Sequence, residues 1–366
     1  MINAPFCFFS ISPALGGSAC LNGGKDMKET KDWGSIPFGY TPLKSRYEAV
    51  YKDGHWIENG LVGEAEITLS ESAVVFQYAQ TCFEGLKAYR TEDGHIVIFR
   101  PDLNAKRFSD SCRRLFIPEV SSEMFIRAID MTVRANEDSV LPYGSGATLY
   151  IRPFAMGTSA ALGVKPAGEY MFRVFGSPVG AYFKGGVKPI TLTVSDFDRA
   201  APHGTGDIKA GLNYAMSLYP GQLAHAAGFA ENLYLDPATR TKVEETGGAN
   251  LIFITHDNVF VTPKSSTILP SVTRRSLMTV ARDYLGMKVE EREVLFSEVP
   301  DFAECGLCGT AAVISPVGAI NDHGRLISFP SGMEKPGPVC QKLYDTLTGI
   351  QMGRIAPPEG WIHTVI

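Results

Sequence analysis

The chain has 366 residues, of which 45% are hydrophobic and 20% charged, with a formal net charge of −5. This is the composition of an ordinary globular protein, and it is long enough for two domains, since one core rarely grows beyond roughly 250–300 residues. Lysine and arginine are scattered rather than striped, which argues against a nucleic-acid surface, and no apolar run reaches the ~20 residues that span a bilayer.

Residues 1–26 differ from the rest. Pro5, Pro13 and several glycines surround a short apolar patch at Phe6–Ile11, without the positive start and continuous apolar stretch of a signal peptide. They read as a disordered extension or a start assigned too early. Leu86–Arg90 and His95–Phe99 flank the turn-rich Thr91-Glu92-Asp93-Gly94 and predict a β-hairpin. Pro101 opens a helix that carries Phe108, Cys112 and Leu115 on one face, and a second helix is predicted over Ser122–Ala135. Strands follow at Thr148–Phe154 and Tyr170–Phe175.

Four glycines and a proline between Gly176 and Gly186 interrupt the pattern and read as an interdomain link. The expected division is a small α+β domain over 27–175, a loop over 176–187 and a large α+β domain over 188–366. The second half predicts strands near Ile190–Val194, Glu231–Leu235, Leu251–Thr255, Val259–Thr262, Lys288–Val294 and Ala311–Ile314. Its clearest helix runs from about Arg274 to Leu285, with Gly286 at the C-terminal cap, and a last helix covers Val339–Thr348. Strands and helices do not alternate regularly, and neither GxGxxG nor GxxxxGK[ST] occurs. Two α+β domains with a site in the cleft between them fit this pattern best.

Lys209 is the leading candidate for chemistry. It sits in Gly206-Asp207-Ile208-Lys209-Ala210-Gly211-Leu212-Asn213-Tyr214, among small and hydrogen-bonding residues. A lysine becomes a useful nucleophile toward carbonyls when a desolvated cleft lowers its pKa; taken alone, Lys209 reads as one of many surface lysines. Glu245 precedes a glycine-rich entrance to the apolar Asn250-Leu251-Ile252-Phe253-Ile254, where a carboxylate can bond a protonated pyridine nitrogen or merely cap a turn. Amine, phenol and carboxylate together are the groups that hold pyridoxal phosphate. Leu269-Pro270-Ser271-Val272-Thr273-Arg274 leads into the predicted helix and offers N–H groups to an anion, or is an ordinary cap by Ser271 or Thr273. Gly309-Thr310-Ala311-Ala312 is a second turn able to do so.

Phe83-Glu84-Gly85-Leu86-Lys87-Ala88-Tyr89, Phe99-Arg100-Pro101-Asp102-Leu103-Asn104, Tyr150-Ile151-Arg152-Pro153, the Lys209 segment and the Leu269–Arg274 segment occur in one order. From about Trp33 to the C-terminus the chain strongly resembles the branched-chain amino-acid aminotransferases, of fold type IV among pyridoxal-phosphate enzymes. The resemblance implies that Lys209 binds the cofactor and carries the proton, Tyr214 bonds its phenolic oxygen and Glu245 its pyridine nitrogen. Arg107, the N–H groups of Val272 and Thr273, and the Thr310 hydroxyl would hold the phosphate. Tyr78, Phe83 and Tyr150 would surround an aliphatic side chain, Arg152 would receive the γ-carboxylate of glutamate, and the Thr310-Ala311 turn would take the α-carboxylate. Leu162 and Val164 resemble a loop that enters a neighbouring subunit's pocket, which implies a homodimer. The expected activity is transamination between leucine, isoleucine or valine and 2-oxoglutarate.

On the same fold, a D-amino-acid aminotransferase or an aminodeoxychorismate lyase is the nearest alternative. Seven cysteines, an odd number without a dense framework, read as reduced thiols in a cytoplasmic enzyme. Cys305-Gly306-Leu307-Cys308 lacks the second ligand pair of a zinc site, so no metal is expected, and a colourless thiol or metal-binding protein is the remote alternative. Mammalian members of the resembled family carry a redox-sensitive Cys-x-x-Cys beyond the Gly-Thr-Ala turn. Here Ala312 and Ser315 stand there, and thiol regulation is not carried over.

Overall fold

Alternating apolar residues in the first half of the chain build a sheet that is covered by two amphipathic helices. The computed structural model describes residues 36–180 and 187–366, all within one compact unit, Trp33–Ile366. The expected extension at 1–26 lies outside the described residues. The first half comprises β1 (Arg46–Lys52), β2 (His55–Val62), α1 (Val74–Tyr78), β3 (Thr81–Phe83), β4 (Leu86–Arg90), β5 (Ile96–Phe99), α2 (Pro101–Arg114), α3 (Ser122–Ala135), β6 (Thr148–Gly157) and β7 (Tyr170–Val179). The strand order is β5-β4-β6-β7-β1-β2, with β3 on β6 and the C-terminal strand Ile362–Thr364 on the outer side of β5.

The predicted hairpin and both helices are present. Ser121 caps α3 by accepting the Met124 N–H at 3.2 Å. Phe108 of α2 and Phe125 of α3 pack on each other and on Phe172 of β7, and these three anchor the first core. One expectation is corrected: Gly176–Val179 is not loop but the end of β7, because it pairs residue by residue with Thr148–Ile151. Residues 181–186 of the expected link lie outside the described residues. β1 and β2 went unpredicted; β2 is largely exposed, so its sequence shows no clear apolar alternation.

The second half comprises β8 (Ile190–Val194), α4 (Gly211–Met216), α5 (Leu218–Ala226), β9 (Glu231–Leu235), β10 (Val243–Thr246), β11 (Asn250–Ile254), β12 (Phe260–Pro263), α6 (Val272–Thr279), β13 (Val289–Arg292), β14 (Glu304–Gly309), β15 (Val313–Asp322), β16 (Arg325–Ser328) and α7 (Pro338–Gln351). The strands run β10-β9-β8-β15-β14-β11-β12-β13, and β10 also pairs with β11, so six strands close on themselves. Parallel and antiparallel neighbours are mixed, as expected for α+β. α6 continues into one wider turn, Val280–Tyr284, and stops near Gly286 at φ 64°, a left-handed position that glycine adopts without strain. Among the described residues no helix is long and apolar enough to cross a membrane.

The two sheets share a core. Tyr89, Val97 and Phe99 of the first sheet pack with Ile252, Leu277, Leu343 and Trp361. The C-terminal strand is also tied down by charge: His363 Nε2 lies 2.8 and 3.0 Å from the Asp130 carboxylate oxygens on α3. The hydrogen bond to Asp130 raises the His363 pKa above its ordinary 6.5, outweighing the opposing effect of partial burial. A raised folded-state pKa means that the stabilisation is complete below about pH 6.5 and fades as pH climbs past the raised value. Asp130→Asn is therefore expected to cost up to about 1 kcal/mol in urea unfolding at pH ~5.5, with the difference from wild type shrinking at pH ~9.

Candidate active site

Lys209 is held by its backbone before its side chain does anything. Its N–H donates to Ser111 Oγ of α2 at 3.0 Å, and its carbonyl accepts the Phe83 N–H at 3.1 Å. The preceding loop is pinned by buried Asn213, whose Nδ2 donates to the carbonyls of Thr205 and Ile208 at 2.7 and 2.9 Å. α4 then brings Tyr214 round, and Lys209 Nζ donates to Tyr214 Oη at 2.7 Å. The same ammonium lies 4.7 Å from the Phe83 ring centroid. Lys209, Tyr214 and Phe83 line one cleft with Glu245, Arg107, Tyr150, Arg152, Val272, Thr310 and Ala311.

Glu245 enters this cleft from β10. Its Oε1 accepts Arg199 Nη2 at 2.5 Å and the Leu269 N–H at 2.8 Å, and its Oε2 accepts Asn250 Nδ2 at 2.5 Å. Burial nevertheless dominates and pushes its pKa up to about 7, against the pull of the Arg199 charge. A second buried carboxylate behaves in the opposite way. Glu84 accepts Arg107 Nε at 2.6 Å, Arg107 Nη2 at 2.8 Å and Asn104 Nδ2 at 2.7 Å. Burial alone would raise the Glu84 pKa, but the Arg107 charge and these hydrogen bonds hold it below the ordinary range. Arg107 Nη1 also donates to the Pro270 carbonyl at 3.0 Å. A guanidinium has five N–H donors, so two remain for a ligand.

The start of α6 lies beside that arginine. Ser271 is its cap and accepts the Arg274 N–H at 3.2 Å, while the N–H groups of Val272 and Thr273 have no acceptor within the helix. The second anion turn, Thr310 to Ala312, joins β14 to β15 and ends on Val313 at φ 63°. A β-branched residue there is strained. The turn is held from across the cleft, where Lys87 Nζ of β4 donates to the Ala311 carbonyl at 2.7 Å. Burial brings the Lys87 pKa down to about 8.

The first sheet supplies the opposite wall. Arg152 Nη2 donates to Tyr150 Oη at 3.2 Å, and its guanidinium lies 4.8 Å from the Phe83 ring centroid. Gly85 makes room for that arrangement, since a β-carbon there would collide with Tyr150 Oη. Phe38 also lines the cleft and meets Tyr150 edge to face at 5.3 Å.

Three expected residues lie elsewhere. Tyr78 does not line the cleft: it sits at the end of α1, its hydroxyl donating to the Leu162 carbonyl. Leu162 and Val164 are 90% and 86% exposed, on the loop that Tyr78 touches. Tyr78 thus belongs with that loop rather than with Phe83 and Tyr150. Thr273, a fourth expected residue, is also not among those lining the cleft: it is buried at the start of α6, where its backbone N–H has no acceptor within the helix. Sequence reasoning missed Glu84, Lys87, Arg199, Asn250 and Phe38. Glu84 and Lys87 stand in a motif already singled out, whereas Arg199 and Phe38 carry no local signal. Cys305 and Cys308 are three apart on β14 and join different cores, so they do not face each other; Cys308 lines the cleft with burial pushing its pKa to about 12. Among the described residues no group of three or more His, Cys, Asp or Glu could hold a metal ion.

The donor set fits an anionic pyridine aldehyde. The cleft offers a primary amine next to a phenol, a buried carboxylate, and an arginine with spare donors beside an open helix start. Asn250 Oδ1 and Arg152 Nε are buried without a hydrogen-bond partner, so the polar lining is not self-satisfied. Because Glu84 and Arg107 are both buried, Glu84→Gln is expected to cost about 3–5 kcal/mol in denaturant unfolding by leaving an unpaired charge. Asp110→Asn, which breaks the exposed pairs with Lys106 and Arg113, should cost less than about 1 kcal/mol in the same measurement.

Comparison with known proteins agrees with this chemistry. Residues 81–320 match the family model described as amino-transferase class IV. The chain is 50% identical over 339 residues to a branched-chain-amino-acid aminotransferase of Haemophilus influenzae, covering 91% of this chain and 98% of that protein. It is 49% identical over 339 residues to the Helicobacter pylori protein of the same name, covering 92% and 98%. In structure it resembles the holo, PLP-form branched-chain amino acid aminotransferase of Thermobaculum terrenum, with a TM-score of 0.75 and 26% identity over 89% of this chain and 99% of that one. An amine-bearing cleft on this fold and these likenesses lead to one conclusion: the chain belongs to the class IV aminotransferases, among the branched-chain-amino-acid aminotransferases of fold type IV.

Proposed function

We propose that this protein transfers the amino group between branched-chain L-amino acids (leucine, isoleucine and valine) and 2-oxoglutarate, using pyridoxal 5'-phosphate in two successive half-reactions. The observation that carries this reading is the 2.7 Å contact of Lys209 Nζ with Tyr214 Oη, in a cleft shared with Glu245 and Arg107. The cofactor, when bound, supplies an aldehyde that condenses with amines and a ring that accepts the electrons released with the α-proton. Every other requirement falls to the chain. Arg107, the N–H groups of Val272 and Thr273, and the Thr310 hydroxyl bind the phosphate. Glu245, which burial raises to a pKa of about 7, would hold the ring nitrogen, and Arg199 and Asn250 fix the orientation of its carboxylate.

Tyr214 donates to the phenolic oxygen and orients Lys209. The Lys209 amine would accept the substrate α-proton at Nζ and hand it on from the same nitrogen. Phe38, Phe83 and Tyr150 exclude water from the aliphatic chain. Arg152, at the rim of those rings, receives the γ-carboxylate of glutamate, and the Thr310-Ala311 turn, steadied by Lys87, receives the α-carboxylate. We also read the two halves, 27–175 and 188–366, as small and large domains of a cytoplasmic enzyme. In this reading the exposed loop with Leu162 and Val164, together with Tyr78, reaches the cleft of a second copy in a homodimer.

The test of the reaction is an absorbance spectrum of purified protein. A visible band that shifts on adding L-leucine, and that Lys209→Ala abolishes, is the expected result; a colourless protein that stays colourless with added pyridoxal phosphate would sink the proposal. The division of labour at the rim has its own test. Arg152→Ala is expected to lower kcat/KM for glutamate by roughly 10- to 100-fold, the worth of a charged hydrogen bond, and that for leucine by less than about threefold. Equal losses on both substrates would show that Arg152 does not separate them.

A further inference from the structure

The outer wall of the cleft is not part of either sheet. Residues 37–42 cross the first sheet as a strap, with Phe38 edge to face on Tyr150 at 5.3 Å and Tyr40 edge to face on Phe175 at 5.6 Å. One buried hydroxyl clips this strap in place. Ser177 Oγ of β7 accepts the Thr41 N–H at 2.8 Å and donates to the Gly39 carbonyl at 2.7 Å. Beyond the clip, Leu43 packs over Gly176, where a β-carbon would meet its Cδ1 at 2.9 Å. The clip also stands in register with the site. Lys87 pairs with Tyr150 across β4 and β6, and Tyr150 pairs with Ser177 across β6 and β7. Directly opposed residues in antiparallel ladders share a face. One row of side chains therefore holds the carboxylate turn at one end, the aromatic wall in the middle and the strap at the other end.

We propose that Ser177 is a positioning residue for substrate selection: it latches the strap so that Phe38 remains on Tyr150 and closes the apolar side of the cleft. This rests on the branched-chain reading above. An aliphatic side chain gains from the wall in proportion to the area it hides from water, whereas the γ-carboxylate of glutamate is held by Arg152 and owes little to apolar burial. Loosening the strap thus weakens leucine more than glutamate. Neutral hydrogen bonds contribute a factor of about two to ten each, which sets the size of the effect.

The test uses the holoenzyme and four variants: Ser177→Ala, Ser177→Thr, Phe38→Ala, and Ser177→Ala with Phe38→Ala. Initial rates are measured on L-leucine and L-glutamate, and hydrogen exchange at the Thr41 amide is followed. Ser177→Ala is expected to raise the KM for leucine about tenfold, to change that for glutamate less than about threefold, and to leave kcat within about twofold. Thr41 exchange should accelerate in this variant. Ser177→Thr, which retains the hydroxyl, should stay close to wild type. The double variant should bind leucine no worse than Phe38→Ala alone, because the latch acts only through that ring. Unchanged KM for leucine, equal losses on both substrates, or additive effects in the double variant would each overturn the proposal. If wild type fails to turn over leucine, the functional reading falls and takes substrate selection with it, while Thr41 exchange still decides whether Ser177 is the latch.

Discussion

The buried pair between Glu84 and Arg107 is the contact on which the site depends. Its carboxylate stands at the end of β3 and its guanidinium on α2, so the pair locks a strand to a helix within the first half of the fold. The same arginine reaches the Pro270 carbonyl, just before the Ser271 cap of α6, and thereby ties the first half to the start of that helix in the second. Phe83, next to Glu84, bonds the Lys209 carbonyl, and Ser111, four residues beyond Arg107, bonds the Lys209 N–H. Lys209 and the start of α6 are therefore positioned by one rigid unit. A buried ion pair gains little net stability over apolar packing. Its retention here is understandable as a means of registering two halves of a site.

The two buried carboxylates illustrate how one cleft assigns different tasks to the same chemical group. Glu84 is surrounded by donors that match its full charge, and it behaves as a fixed ion. Glu245 has a guanidinium, an amide and a backbone N–H as partners, yet burial still lifts it to about 7. That sets it apart from Glu84 as a group able to exchange a proton near neutral pH. The difference lies in geometry: Arg107 engages Glu84 with two nitrogens, whereas Arg199 meets Glu245 with one and divides that nitrogen among the carbonyls of Gly206 and Thr267 as well.

Much of this was legible in the sequence, and the failures have physical causes. Helices with a clear apolar face and a cap, such as Ser122–Ala135, were readable because their pattern is local. The hairpin at Leu86–Phe99 was readable from its turn. β2 was not, because it lies exposed at the edge of its sheet and has little apolar alternation to display. Gly176–Val179 was misread as loop, since its glycine and proline look like breakers while pairing with Thr148–Ile151 holds them in strand. Lys209, Tyr214 and Glu245 were recoverable from ordered motifs, and the cleft brings them together. Arg199 and Phe38 were not, because each acts on a partner more than forty residues away and nothing nearby marks it. The place of Tyr78, outside this chain's cleft, was illegible for the same reason: its hydrogen bond to Leu162 crosses a separation that spacing does not encode.

What remains outside the cleft is as informative as what lines it. Leu162 and Val164 are large apolar residues that a single chain leaves almost fully exposed, at an energetic cost that burial against another surface would remove. The cleft itself has a wall in the strap carrying Phe38, which also stays half-exposed. Neither segment belongs to a sheet, whereas Glu245 lies on β10, Arg107 within α2, Phe83 on β3, and Tyr150 and Arg152 on β6. The buried charges are thus held by the rigid frame, and the strap and the Leu162 loop lie at its margins. A margin can be altered at the cost of a few contacts without disturbing Lys209, because the frame is fixed by buried charge.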